Sequence, residues 1–332
     1  MALIEVENLR KTFQVAVPRT GRLAALRSLL AREYRDVHAV DDISFRIERG
    51  EMVGYLGPNG AGKSTTLKML TGILVPSSGH ISVAGRVPYQ QRVEHARQIG
   101  VVFGQRTQLW WDLPTIESFE LLRYIYRIPL ELWQTNLRQF SSMLELEPFL
   151  HTPVRQLSLG QRMRADLACA LLHNPPVLFL DEPTIGLDVV ARERIRTFLR
   201  QLNRENGVTI ILTTHDMGDI ERLCQRVVLI DHGRVIYDGG LERLRERYGR
   251  WRTLVVDLEE ALPDDISMSI PGAETIRHEG LRHWLRFDRK TSSATTLIAA
   301  IAARHPLRDL TIEEPEIEMI VSDIYQGKNQ EA

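Results

Sequence analysis

Short runs that are apolar on both faces recur along the middle of the chain, at residues 52–56, 99–103, 177–180, 209–212 and 227–230, each bounded by turn residues. Stretches of helical spacing separate them, so residues 50–235 predict a mostly parallel sheet covered on both faces, an α/β arrangement. Two regions depart from that alternation. Residues 116–126, 132–144 and 161–173 read as helices with no strand between them, which makes 107–160 an inserted helical lobe. Beyond residue 250 the strands at 253–258, 284–287 and 310–312 and the helices at 295–303 and 316–325 give a small α+β unit at 251–332, joined to the rest by an Arg-rich helix at 241–248. At the other end a first strand ends near Phe13 and the next lies at 43–47. Between them, in residues 14–36, Leu23, Leu26 and Leu30 recur at helical spacing among Arg19, Arg22, Arg27, Arg32 and Arg35. That is the pattern of a short basic amphipathic helix, which either packs on its own domain or meets a membrane partner or anionic headgroups.

Composition narrows the partners. The 332 residues are 43% hydrophobic and 26% charged, enough for one large core and a small one. A formal net charge of -1 carries no basic footprint for nucleic acid, which is therefore not an expected partner. Cys169 and Cys224 have no metal-ligand spacing and form no disulfide framework. No run approaches the roughly 18 to 20 consecutive apolar residues that span a bilayer, so a role at a membrane needs a partner. The first thirteen residues alternate like a strand and lack a signal-peptide apolar region, which places the protein in the cytosol.

The chemistry concentrates in two places. Gly57-Pro58-Asn59-Gly60-Ala61-Gly62-Lys63-Ser64, followed by Thr65, matches the phosphate-loop pattern and stands between a strand and a helix. Glycines let successive N–H groups curl around phosphates, and the helix that follows adds its positive end. Lys63 is placed for the β- and γ-phosphates, and the Ser64 hydroxyl for Mg²⁺. At the end of the buried run 177–180 stand Asp181, suited to Mg²⁺, and Glu182, suited to act on an attacking water. A second phosphate-binding peptide, Leu157-Ser158-Leu159-Gly160-Gln161, is left without a site of its own.

With these motifs in this order the chain resembles the ATP-binding subunits of ABC transporters. GPNGAGKS resembles the Walker A loop, VLFLDEPT the Walker B segment, LSLGQ the signature, Gln105 the Q-loop glutamine, Gly186-Leu187-Asp188 the D-loop and Thr213-Thr214-His215-Asp216 the switch-histidine segment. The resemblance covers residues 1–245 and implies a P-loop NTPase fold of ABC type: a mostly parallel sheet core, an N-terminal antiparallel β subdomain and an inserted helical subdomain. It implies an ATPase that uses ATP and Mg²⁺ and works as a dimer, with Ser158, Gly160, Gln161 and Asp188 acting across the subunit boundary. It gives Gln105 a place near Mg²⁺, His215 a hydrogen bond to the γ-phosphate, and Phe13 a stack on adenine. It further implies separate polytopic transmembrane permease subunits, a peripheral place on the cytoplasmic face of the membrane, and an interface role for Trp110 and Trp111, which otherwise pack a local core. The ending Ile312-Glu313-Glu314-Pro315-Glu316-Ile317-Glu318 resembles that of exporter-type (ABC-2-like) ATPases with a C-terminal extension, hence an expectation of export of drugs or organic cations. Two departures from the family pattern stand out: Leu159 replaces a glycine between Ser158 and Gly160, and residues 14–36 are inserted. The competing expectation, a soluble ABC-type ATPase acting on ribosomes or DNA, lacks the tandem halves or long coiled-coil insertion that such proteins show.

Overall fold

The apolar runs become the parallel strands of one six-stranded sheet. The computed structural model describes residues 2–16, 34–104, 106–249, 251–260 and 270–326, in two units, Met1–Gly239 and Gly240–Ala332. In the first unit the runs are β3 (Met52–Leu56), β5 (Ile99–Phe103), β6 (Val177–Asp181), β7 (Thr209–Thr213) and β8 (Arg226–Asp231). β9 (Arg234–Gly240) lies at one edge, and the order is β5-β6-β7-β3-β8-β9. Every residue of β3 and β7 is buried, as expected of strands covered on both faces. His232 and Gly233, with φ of 45° and 77°, turn β8 back into β9 as a two-residue type I′ hairpin. Because β5, β6, β7, β3 and β8 run parallel, their C-terminal ends open at one edge of the sheet, with Asp181 paired to Phe103 on one side and to Thr213 on the other.

A three-stranded antiparallel sheet of β1 (Ile4–Ala16), β2 (Tyr34–Ile47) and β4 (Ser78–Val83) lies over this one, in the order β2-β1-β4. Its inner residues Ile4, Val6, Ile43 and Ile81 share a core with Tyr55 and Ile230 of the parallel strands and with Leu67 and Met69 of α1 (Lys63–Leu70). The first two strands are longer than the sequence predicts. Pairing continues through Gln14↔Asp36, Val15↔Arg35 and Ala16↔Tyr34, so 14–16 and 34–36 are strand rather than part of an inserted helix. Residues 34–38 are exposed on both faces; a strand that buries neither face leaves no apolar alternation to read. The helix expected around Leu23, Leu26 and Leu30 lies outside the described residues.

α2 (Arg92–Ala96) leads into β5, and the helical lobe follows as α3 (Thr115–Tyr126), α4 (Leu130–Leu144) and α5 (Leu159–Leu171). Phe119, Phe140 and Leu144 form its buried interior. Phe140 meets Phe198 of α6 (Val189–Asn206) edge-on, 6.0 Å between centroids, which joins the lobe to the sheet domain. α7 (Met217–Leu223) packs beside α6.

The second unit contains α8 (Leu241–Tyr248), β10 (Trp251–Leu258), β11 (Ala273–Glu279), β12 (Arg282–Asp288), α9 (Ala294–Ala302), β13 (Leu307–Glu313) and α10 (Ile317–Tyr325). Its antiparallel sheet runs β11-β12-β10-β13. Alternate residues Leu254, Val256, Leu285 and Phe287 bury one face against Leu297 and Ile301 of α9. α8 packs on α10.

Candidate functional site

β3 feeds a loop whose glycines are required by what surrounds them. A Cβ on Gly57 would sit 2.5 Å from the Ile230 carbonyl oxygen, and one on Gly62, where φ is +104°, 2.3 Å from that of Ala39. The chain therefore passes close under neighbouring backbone and enters α1 with its first N–H groups free of intrahelical partners. Lys63 donates to the carbonyl oxygens of Gly57 and, at 3.0 Å, Pro58. Burial lowers its pKa, against the pull of the Glu182 and Asp181 carboxylates.

This loop forms one wall of a cleft of about 950 Å³. Pro58, Asn59, Gly60, Gly62, Lys63, Ser64 and Thr65 line it on that side, and Asp181, Glu182 and His215 come to it from the ends of β6 and β7. Gly57 and Ala61 shape the loop from behind; Ala61 is buried. The Thr213 hydroxyl donates to Asp181 Oδ1 at 2.5 Å and fixes that carboxyl group. Glu182 takes a left-handed backbone, φ 53°, while its N–H donates to the Thr213 carbonyl at 2.9 Å. Such a φ costs a non-glycine residue about 1 kcal/mol and persists only where neighbours hold it. His215 Nδ1 lies 3.3 Å from Glu182 Oε1.

A buried polar node keeps these two together. Asp219 of α7, wholly buried, accepts from Thr184 Oγ1 and from Arg196 Nε, the latter at 2.6 Å. Asp216 caps α7 and accepts from Arg192 at 2.6 Å. The segment after Glu182 is thus tied through Asp219 to the helix after His215. Neither Asp219 nor Arg196 carries a local sequence signal, since each is defined by partners distant along the chain. Thr213 is also a supporting residue that sequence reasoning passes over; only the β6/β7 register sets it opposite Asp181.

Ser158, Gly160, Gln161 and Asp188 are not among the residues that line the cleft. Ser158 is exposed and caps α5: its Oγ accepts from the Gln161 N–H at 3.2 Å, and Gln161 Oε1 accepts from the Ser158 N–H at 2.9 Å. Asp188 caps α6 by accepting from the Ala191 N–H at 2.8 Å. A Cβ on Gly160 would come within 3.3 Å of the Ala191 Cβ, so the two helix starts approach closely. Leu159 rests on Gly186, where a Cβ would lie 3.0 Å from Leu159 Cδ2. The residue that departs from the family pattern therefore fills a gap within its own chain and leaves Ser158 exposed.

Phe13 is half-buried in β1, paired with Val37, with Lys11 Nζ 5.1 Å from its ring centroid. It does not line the cleft, whereas Ala39 and Arg106 do. Gln105 lies outside the described residues. Trp110 and Trp111 are 40% and 50% exposed, so they do not fill a local core; Trp111 has the Arg162 guanidinium 5.7 Å from its ring centroid.

Just after Gln105, the Thr107 hydroxyl and Gln108 N–H donate to Asp166 Oδ1 in α5 at 2.8 and 3.1 Å. Burial pushes the Asp166 pKa up to about 6 despite those two bonds. A carboxylic acid whose folded-state pKa exceeds its unfolded value holds its proton more firmly when folded, so stability falls as pH rises from about 4 to 6. Asp166→Asn keeps an acceptor for both donors and removes the buried charge. It is expected to raise stability by about 3 kcal/mol at pH 8 and to change little at pH 4, as read from urea midpoints at the two pH values.

The donors in the cleft suit a magnesium nucleotide. Ser64 and Asp181 supply the hard oxygens, one hydroxyl and one carboxylate, that Mg²⁺ takes when phosphate and water complete its shell. The glycine loop and the α1 N-terminus offer the N–H groups that phosphate oxygens need.

Comparison with known proteins gives the family. Residues 40–185 match the family model described as ABC transporter. The chain is 41% identical over 219 residues to the Nod factor export ATP-binding protein I of Burkholderia pseudomallei, covering 65% of this chain and 70% of that protein. It is 35% identical over 217 residues to the probable sulfate/thiosulfate import ATP-binding protein CysA of Chlorella vulgaris, covering 65% and 91%. Among solved structures, the dimeric, post-hydrolysis form of an ATP-binding cassette bound to ADP and Pi superimposes with a TM-score of 0.60 at 28% identity, over 72% of this chain and 98% of that one. Phosphate loop, strand-end carboxylates, capped LSLGQ helix and these relatives all lead to one assignment: the chain belongs to the ABC transporter family, as an ATPase of its ATP-binding subunits.

Proposed function

We propose that the chain hydrolyses Mg-ATP between two copies of the cassette and drives separate polytopic permease subunits, as a peripheral protein on the cytoplasmic face of a membrane. The observation that carries this reading is the separation of its two phosphate-binding elements. Lys63, Ser64, Asp181, Glu182 and His215 converge on one cleft, while Ser158 is exposed on a helix start outside it. Ser158 is thereby available to a nucleotide held by another subunit. In the closed pair Lys63 and the 57–62 backbone hold the β- and γ-phosphates, Glu182 orients the attacking water and accepts its proton, and His215 donates to the γ-phosphate. Ser64 and Asp181, together with Gln105 as the family resemblance implies, would hold Mg²⁺, which would supply positive charge to offset that of the β- and γ-phosphates. Ser158, Gly160 and Gln161 of one copy cover the γ-phosphate of the other and Asp188 lies at their boundary; Phe13, which lies outside the cleft lining in the single copy, is assigned to adenine only by the family resemblance.

Export of lipophilic small molecules such as drugs or organic cations is the proposed cargo chemistry. Its support is the likeness of residues 312–318 to the ending of exporter-type extensions, together with a relative named for export. Trp110 and Trp111 are the proposed permease anchors, exposed aromatics of the kind that dominate interface energies. A tagged chain recovered from solubilised membranes is expected to bring down a polytopic pair. Trp110→Ala/Trp111→Ala should reduce that recovery by about tenfold or more while the ATPase activity of the isolated chain persists. Recovery of ribosomal proteins in place of membrane proteins would reject the permease.

A further inference from the structure

At the edge of the six-stranded sheet where the strands begin, opposite the nucleotide cleft, lies a second cavity of about 430 Å³. Met52, at the start of β3, Leu223, the last residue of α7, and Cys224, which follows it, give it an apolar part of its lining. Five arginines enter its wall from separate parts of the first unit: Arg49 before β3, Arg200 and Arg204 one turn apart on α6, Arg222 on α7 and Arg226 on β8. The same wall holds two carboxylates, Glu51 and Glu221. In a chain whose formal net charge is -1, this is a local concentration of positive charge rather than a share of a general one.

The ion pairs around the cavity leave that charge uneven. Arg226 is fully engaged, with Asp238 at 2.8 Å, Glu51 at 3.0 Å and the Arg46 carbonyl at 2.8 Å. Arg200 and Arg222 share one carboxylate, Glu193, each at 3.0 Å, and Arg196 reaches the same group at 3.4 Å. Arg49 and Arg204 make no ion pair among the described residues. Guanidinium groups match phosphate oxygens in a bidentate fork, and several around one concavity favour an anion that carries several charges close together. The volume lies within the range of small-molecule sites and is too small for a folded partner.

We propose that this cavity binds a compact oligophosphate, two or more linked phosphate groups free in solution, with Arg49 and Arg204 as its principal ligands and Arg200 and Arg222 closing around it. No nucleotide-cleft residue takes part, so the site is independent of the ATPase reading above. Inorganic tripolyphosphate is the probe, titrated calorimetrically into the full chain carrying Lys63→Ala, which weakens phosphate binding at the glycine loop. One equivalent is expected to bind, with affinity that falls as salt rises. Adding Arg49→Glu and Arg204→Glu should weaken it by at least about tenfold, the loss of two charge-assisted contacts. Both residues are exposed, so the fold should persist with a small loss of stability from the reversed charge of Arg204 in the last turn of α6, and the same two substitutions in the Lys63 chain should leave basal ATP turnover as it was. Absence of saturable binding, or equal affinity with and without the two arginines, overturns the proposal.

Discussion

Replacing Glu182 by Gln is expected to lower ATP turnover by about two to four orders of magnitude, the usual worth of a positioned general base, while ATP binding persists. The substitution preserves length and shape. The left-handed backbone at this position, φ 53°, is held by the main-chain bond to Thr213, which a glutamine keeps. The amide oxygen also remains available to His215, whose Nδ1 lies 3.3 Å from Glu182 Oε1. What disappears is the ability to accept a proton from water. With hydrolysis blocked and binding intact, the ATP-bound pair should accumulate and be visible as a dimer by size-exclusion chromatography in Mg-ATP but not in Mg-ADP. Turnover near the wild-type rate would remove Glu182 from this role. Loss of ATP binding would mean instead that its carboxylate builds the cleft.

The parts of this site that could be read from sequence are those whose chemistry is local. Gly57 to Ser64 declares itself because a phosphate loop is contiguous, and Asp181 and Glu182 because a buried strand ends in two acids. The five parallel strands were legible for a similar reason, since parallel strands covered on both faces are apolar throughout. Other contacts depend on register or packing. Thr213 is an ordinary strand residue until β7 is placed beside β6. Leu159 looks like an obstruction between Ser158 and Gly160 until its side chain is found on Gly186, twenty-seven positions away. β2 starts earlier than the sequence predicts because its first residues face solvent on both sides, whereas α6, with Ile195, Phe198, Leu199 and Leu202 at helical spacing, is one of the helical stretches that separate the apolar runs.

A mixed pair of inactive subunits is expected to recover activity. Ser158→Arg loses the N-cap of α5, worth about 1 kcal/mol, and sets a cation at the positive end of that helix, worth about 0.3–1 kcal/mol more. Both are small against the stability of a domain of this size, and Ser158 is exposed, so the subunit should fold and bind nucleotide on its own cleft. It should still fail to turn over, because a guanidinium stem stands where the neighbouring γ-phosphate must approach. Lys63→Ala fails for the opposite reason: its LSLGQ helix is intact and its phosphate loop is not. Paired, the Ser158→Arg cleft faces an unaltered LSLGQ helix, while the Lys63→Ala cleft faces the altered one. One composite site is then whole and the other is doubly disabled. Mixed dimers isolated through two different tags should turn over ATP at up to about half the wild-type rate per dimer, one site of two in a symmetric pair. Either variant alone should stay near background. Isolated mixed dimers that remain as inactive as their parents would reject Ser158 as a ligand acting across the boundary, or show that turnover requires both sites at once. A wild-type/Lys63→Ala pair separates these outcomes, because it also contains one intact composite site and should be active only if one site suffices.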